Sequence, residues 1–70
     1  MIVSNLSEIL GRKKLKISQV IRDTDISRPT LTALYRDTSA GIRYSTLDAL
    51  CKYLQVEPGE LFSFRKDAEP

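Results

Sequence analysis

Seventy residues, 41% of them hydrophobic and 29% charged, suit one small domain spanning residues 1–70; a chain of that size buries roughly 60% of its unfolded surface and leaves no room for a separate ligand-sensing domain. A single cysteine and no histidine exclude an internal disulfide, a cysteine-based metal site, a zinc finger and histidine-driven catalysis. The net charge of +2 is unevenly spread, with six Lys/Arg against three Asp/Glu in residues 1–35 and five against six in residues 36–70.

Residues 1–4 read as extended, because the β-branched Ile2 and Val3 start helices poorly. Nothing there resembles the charged and apolar regions of a signal peptide, and no apolar run approaches the roughly 20 residues of a membrane span. Asn5 is expected to cap a first helix, with Glu8 completing a capping box and Leu6, Ile9 and Leu10 facing the core. Gly11 weakens this helix without ending it. Arg12, Lys13, Lys14 and Lys16 then place four cations in five positions. They suit a phosphate-facing patch, and equally the negative pole of a helix end. Leu15 anchors the passage into the next helix.

Residues 17–36 read as a helix, a tight turn and a second helix. Ile17, Val20, Ile21 and Thr24 recur at i, i+3, i+4 and i+7. Ser18 and Gln19 lie early in that helix, where they can bond a phosphate or simply be solvated. Asp25, Ile26 and Ser27 form the connection, and Ser27 is an N-cap whose hydroxyl accepts from an amide of the following turn. Pro29 sits in that first turn, where a missing N–H costs nothing. The second helix is expected to bury Leu31, Leu34 and Tyr35. Its other side shows Pro29, Ala33 and Arg36, flanked by Thr32, with Arg28 at the open end. A short helix of this kind suits a DNA major groove.

A polar loop follows over residues 37–44, with Gly41 expected in a left-handed turn. Its amides, its hydroxyls and Arg43 suit a phosphate backbone, or a plain connector. Ser45 is expected to cap a further helix with Asp48 as its partner, burying Leu47, Leu50, Cys51 and Leu54. Cys51 on that stripe acts as a small hydrophobe. Val56 continues the core, and Glu57 and Pro58 open a last short helix through Leu61 and Phe62. From Leu61 to Arg65 the pattern alternates like a strand that can pair with Ile2 and Val3. Residues 66–70 form a polar tail, expected to be mobile. Asp23, Asp25 and Asp37 have no base, nucleophile or metal-ligand set beside them, so turn and capping duty is expected of them and no enzyme activity.

Ile26-Ser27, Leu31 and Leu34, and the segment GIRYSTLDALCKYLQVEPGELF carry a resemblance. In this order and spacing the chain resembles the Cro and phage-repressor type of helix-turn-helix protein, also called the xenobiotic-response-element type. It looks most like a branch of very small regulators found on bacterial chromosomes, prophages and mobile elements. The resemblance implies an all-α, five-helix, lambda-repressor-like domain, here with a short β pairing of the termini. It implies sequence-specific binding to double-stranded DNA, usually as a homodimer on an inverted repeat, by a regulator expected to be a repressor; the lack of disulfides fits a reducing cytoplasm. Arg28, Pro29, Thr32 and Ala33 would read bases; Ser27, Thr30 and Arg36 would touch base edges or backbone. Lys16 and Ser18 would anchor the strand, and Arg43 and Tyr44 would meet the groove's other side. The chain departs from the pattern at Asp25, where the family usually has Gly, and at Tyr35, where an acidic residue is common. It departs also at Ile17, where the family often has a Gln whose contact Ser18 or Gln19 would have to supply. Pro29 offers only apolar contact, for instance to a thymine methyl, which leaves Arg28 as the strong hydrogen-bonding reader. No cofactor, metal, membrane or small-molecule effector is expected. Ile2, Val3, Phe62 and Phe64 are expected to leave an apolar patch that a two-fold axis would cover. The alternative is an interaction module that keeps the fold and binds a protein, as an antitoxin-like subunit does.

Overall fold

Strand β1 (Ile2–Ser4) leads into helices α1 (Leu6–Lys13), α2 (Ile17–Thr24), α3 (Arg28–Tyr35), α4 (Tyr44–Leu54) and α5 (Pro58–Leu61), and strand β2 (Phe62–Phe64) closes the order. This is the arrangement in a computed structural model that describes residues 1–66. The mobile tail expected over residues 66–70 falls, from residue 67 on, outside the described residues.

Every helix gives its apolar stripe to one core. Leu6, Ile9 and Leu10 come from α1, Val20 from α2, Leu31 and Leu34 from α3, Leu50 and Leu54 from α4, and Leu61 from α5. Burying such side chains supplies about 1.5–3 kcal/mol each. Ile17, Ile21, Ile26, Leu47, Val56 and Phe62 pack around them, half-buried. Cys51 is half-buried on the same side of α4, and burial pushes its thiol pKa up. A raised pKa keeps the sulfur a thiol, the form suited to packing.

The termini meet as expected. β1 and β2 pair antiparallel, Ile2 opposite Phe64 and Ser4 opposite Phe62. Just beyond this ribbon, Asn5 N–H donates to the Leu61 carbonyl at 2.8 Å. The Asn5 side chain does not cap α1, contrary to the expected capping box with Glu8. Its amide nitrogen donates instead to the Glu60 carbonyl at 3.1 Å and to Ser63 Oγ at 2.8 Å. Folding brings these partners from more than fifty residues away, and they outcompete the local cap.

Three further local expectations shift. Helix α4 begins at Tyr44, with Arg43 rather than Ser45 in the cap position and no side-chain cap; the Leu47 amide already bonds the Arg43 carbonyl at 2.9 Å. Gly41 is not left-handed; Asp37 takes the positive φ, at 60°. The reversal therefore falls immediately after α3, not in mid-loop. Tyr35 is 41% exposed, because α3 ends on it and its core-facing row stops at Leu34. Lys14, Asp25, Asp37 and Gln55 all end helices in the left-handed region. Backbone bonds secure these ends: Leu15 N–H to Leu10 O, Thr38 N–H to Ala33 O and Val56 N–H to Cys51 O. Among the described residues no helix is long and apolar enough to cross a membrane.

Candidate nucleic-acid interface

Helices α2 and α3 are joined by the expected turn. Asp25 adopts φ 61°, which its short polar side chain tolerates better than most. Thr24 Oγ1 donates to the Val20 carbonyl at 2.6 Å and accepts from Ile26 N–H at 3.3 Å, tying the turn to α2. Ser27 then caps α3, its Oγ accepting from Thr30 N–H at 3.4 Å and donating to Thr30 Oγ1 at 2.8 Å. Part of the hydrogen-bonding capacity of both hydroxyls is thus taken up by the cap.

Because α3 turns Leu31 and Leu34 inward, its other side stays open. Arg28, Pro29 and Arg36 are exposed, and Thr32 and Ala33 lie half-buried between them. The centre of the row is therefore less open than its ends. Thr38 folds over the end of α3, its N–H donating to the Ala33 carbonyl at 2.8 Å. Lys16 and Ser18 are exposed at the start of α2, while Gln19 is half-buried. Gln19 Oε1 accepts from Lys16 N–H at 2.8 Å, so its oxygen serves the helix end. Arg43 is exposed before α4, and Tyr44 is 88% exposed. Beside the turn runs a groove lined by Thr24, Asp25, Ser27 and Thr30 on one wall and by Arg43, Ser45 and Thr46 on the other, so one carboxylate lies among its hydroxyls. Ser45 and Thr46 were not among the residues the sequence pattern singled out for contact. Their signal is local: cap-type residues that make no cap.

Charge at the helix ends follows two different patterns. A helix N-terminus carries partial positive charge, so a nearby cation is unfavourable by about 0.3–1 kcal/mol at low salt. Yet Lys16 occupies the cap position of α2, Arg28 the first turn of α3 and Arg43 the cap position of α4, and no acid stands in the first turn of any of the three. Arg12 and Lys13 differ, since they lie in the last turn of α1, where the dipole favours them. The helix-end account thus covers Arg12 and Lys13 and fails for Lys16. Two carboxylates at or just past C-terminal helix ends, Asp23 and Asp37, have internal partners. Asp23, in the last turn of α2, accepts from Tyr53 Oη at 2.6 Å and from Arg22 Nε at 3.1 Å. The Tyr53 hydroxyl, then Arg22, holds its pKa below the usual carboxylate range. Asp37, just past α3, accepts from Ser4 N–H at 2.9 Å. Asp25 does the turn duty expected of all three; Asp23 instead ties α2 to α4. Among the described residues no carboxylate pairs with Lys16, Arg28 or Arg43.

Arg28 at the open face of α3, Arg43 on the groove wall and Lys16 at the start of α2 have no carboxylate partner among the described residues, an arrangement suited to an external polyanion. Comparison with known proteins identifies a DNA-binding family. The family described as Cro/C1-type HTH DNA-binding domain matches residues 5–67. The chain is 29% identical over 68 residues to the uncharacterized HTH-type transcriptional regulator YozG of Bacillus subtilis (strain 168), an alignment covering 97% of this chain and 81% of that protein. No solved structure matches.

Proposed function

The chain belongs to the Cro/C1-type HTH DNA-binding domain family, and on that premise we propose that it is a transcriptional repressor that reads an inverted repeat in double-stranded DNA as a homodimer. The family binds DNA and is not enzymatic. The similarity to a protein named as an HTH-type transcriptional regulator supports the regulatory role. The reading is supported above all by Lys16, Arg28 and Arg43, which stand at three helix N-termini where no carboxylate among the described residues pairs with them and a bound anion would offset both charge and dipole. In this reading α3 enters the major groove. Arg28 reads a base edge by hydrogen bonds, Pro29, Thr32 and Ala33 add close contacts, and Thr30 and Arg36 reach the groove edge. Lys16, Ser18, Gln19, Ser27, Arg43 and Tyr44 meet the backbone on either side.

The second copy would cover the ribbon. Ile2 is 62% and Phe64 73% exposed, directly opposite each other, with Met1 exposed beside them. Contiguous exposed apolar side chains of this kind mark association surfaces. A two-fold axis there would have to set the two copies of α3 roughly 34 Å apart, one duplex turn.

The test is selection of bound sequences from a random duplex library at physiological salt, with sedimentation of the free protein at tens of micromolar. The expected results are an enriched, two-fold-related sequence and a dimer. Retention of no duplex even at low salt, with capture of a stoichiometric protein partner, would replace this reading by the interaction-module one.

A further inference from the structure

We propose that Asp37 is a positioning residue: it fastens the C-terminal end of α3 to strand β1, and so fixes the reading helix against the ribbon. The inference rests on the reading of the chain as a dimeric duplex binder.

Asp37 goes against two local preferences. Its φ of 60° is a conformation that glycine adopts without penalty. Its carboxylate lies at the negative pole of α3, where the dipole disfavours it. The main chain alone completes the helix end, through Asp37 N–H to Leu34 O at 3.2 Å and Thr38 N–H to Ala33 O at 2.8 Å. The side chain is not needed for that. Its partner is elsewhere: Oδ1 accepts from Ser4 N–H at 2.9 Å, across 33 residues of sequence. Ser4 lies in β1 opposite Phe62. Between the ribbon and the end of α3 lies a cleft lined by Ile2, Leu34, Ile42 and Phe62, with Ser4 and Asp37 on its walls. The hydrogen bond bridges that cleft. A local conflict resolved by one distant bond indicates that the bond itself is what the residue is there for.

If the second copy docks on the ribbon, this bond lies on the path from the docking surface to α3. It then helps set the separation of the two reading helices, and with it the half-site spacing. The sequence read within each half-site belongs to the open row of α3 and does not depend on the bond.

The experiment compares wild type, Asp37→Gly and Asp37→Asn in selection from random duplexes, with helix content followed by circular dichroism. Glycine suits the left-handed position and removes the acceptor; asparagine keeps an oxygen acceptor there. Wild type is expected to select paired half-sites at one separation. Asp37→Gly should keep its helix content and half-site sequence, accept a spread of separations, and bind the wild-type duplex about fivefold more weakly, because binding must then fix one separation among several. Asp37→Asn should behave as wild type. Four results would overturn the inference: Asp37→Gly matching wild type in spacing and affinity, Asp37→Gly losing its helix content, Asp37→Asn behaving as Asp37→Gly, or wild type selecting unpaired half-sites. Wild type retaining no duplex at all would overturn the regulator reading and this inference with it.

Discussion

Helices α1 and α5 place acids where the helix dipole favours them, and helices α2, α3 and α4 do not. Glu8 stands in the first turn of α1 and Glu60 in that of α5, where its carboxylate accepts from Glu57 N–H at 2.8 Å. The other three begin with Lys16, Arg28 and Arg43. One chain therefore contains helices that begin with acids and helices that begin with cations. The second group includes the helix-turn-helix pair. Net charge, at +2, conceals this difference; the placement of charge along each helix exposes it.

The most severe way to break the comparison is to reverse all three cations, as Lys16→Glu, Arg28→Glu and Arg43→Glu together. The fold should gain roughly 2–6 kcal/mol at low salt by the dipole term alone, since each reversal exchanges an unfavourable charge for a favourable one. Duplex affinity should fall on the order of a thousandfold. Urea unfolding and gel retardation read the two effects separately. Stability and binding falling together would mean that the cations serve the fold. Arg28→Ala is a finer cut. It should cost roughly 1–3 kcal/mol of discrimination between preferred and altered sites and leave stability within about 0.5 kcal/mol. Lys16→Ala should instead weaken binding to every sequence and lower the salt slope by about 1.

Much of this contrast is legible in the sequence, because it depends on neighbours. The Asp25 turn, the Ser27 cap and the Leu31 and Leu34 stripe follow from local preference and period. Pairing of the termini follows from the alternation of Phe62 and Phe64. What escapes is set by distant partners. Asn5 looks like a cap until the Glu60 and Ser63 partners arrive from the other end of the chain. Asp23 and Asp37 look alike as turn residues, yet one joins Tyr53 and the other Ser4. Tyr35 fits the buried row and is exposed only because α3 stops there. For the candidate site, pattern and resemblance pick out the cations individually. That three of them oppose a dipole emerges only with the helix boundaries, which sequence places two residues late at the α4 cap.

A smaller effect sharpens the contrast from the other side. Glu60→Ala removes the side-chain acceptor at the start of α5. It should cost about 1 kcal/mol of stability, as lost caps do. Duplex affinity at a temperature where the domain stays folded should not change. A loss of binding there would place α5 on the duplex side and erase the division between the two groups of helices.

The smallest expected effect tests the logic itself, since Asp23 is also at the wrong end of its helix but has an internal reason. Its hydrogen bond from Tyr53, then its contact with Arg22, depresses its pKa. The unfolded chain therefore binds the proton more readily than the folded one. Stability from this carboxylate is present above the ordinary range near pH 4 and is lost as pH falls through the folded value. The same bond raises the Tyr53 pKa. That contribution is present below the unfolded value near 10 and is lost as pH rises through the folded one. Tyr53→Phe should flatten both limbs of a plot of urea midpoint against pH and leave duplex binding at pH 7 untouched. Should the acid limb keep its wild-type slope, Asp23 would lack the partner that distinguishes it from Lys16, Arg28 and Arg43. A dipole mismatch would then no longer separate helices that face an outside anion from helices that merely tolerate a misplaced charge.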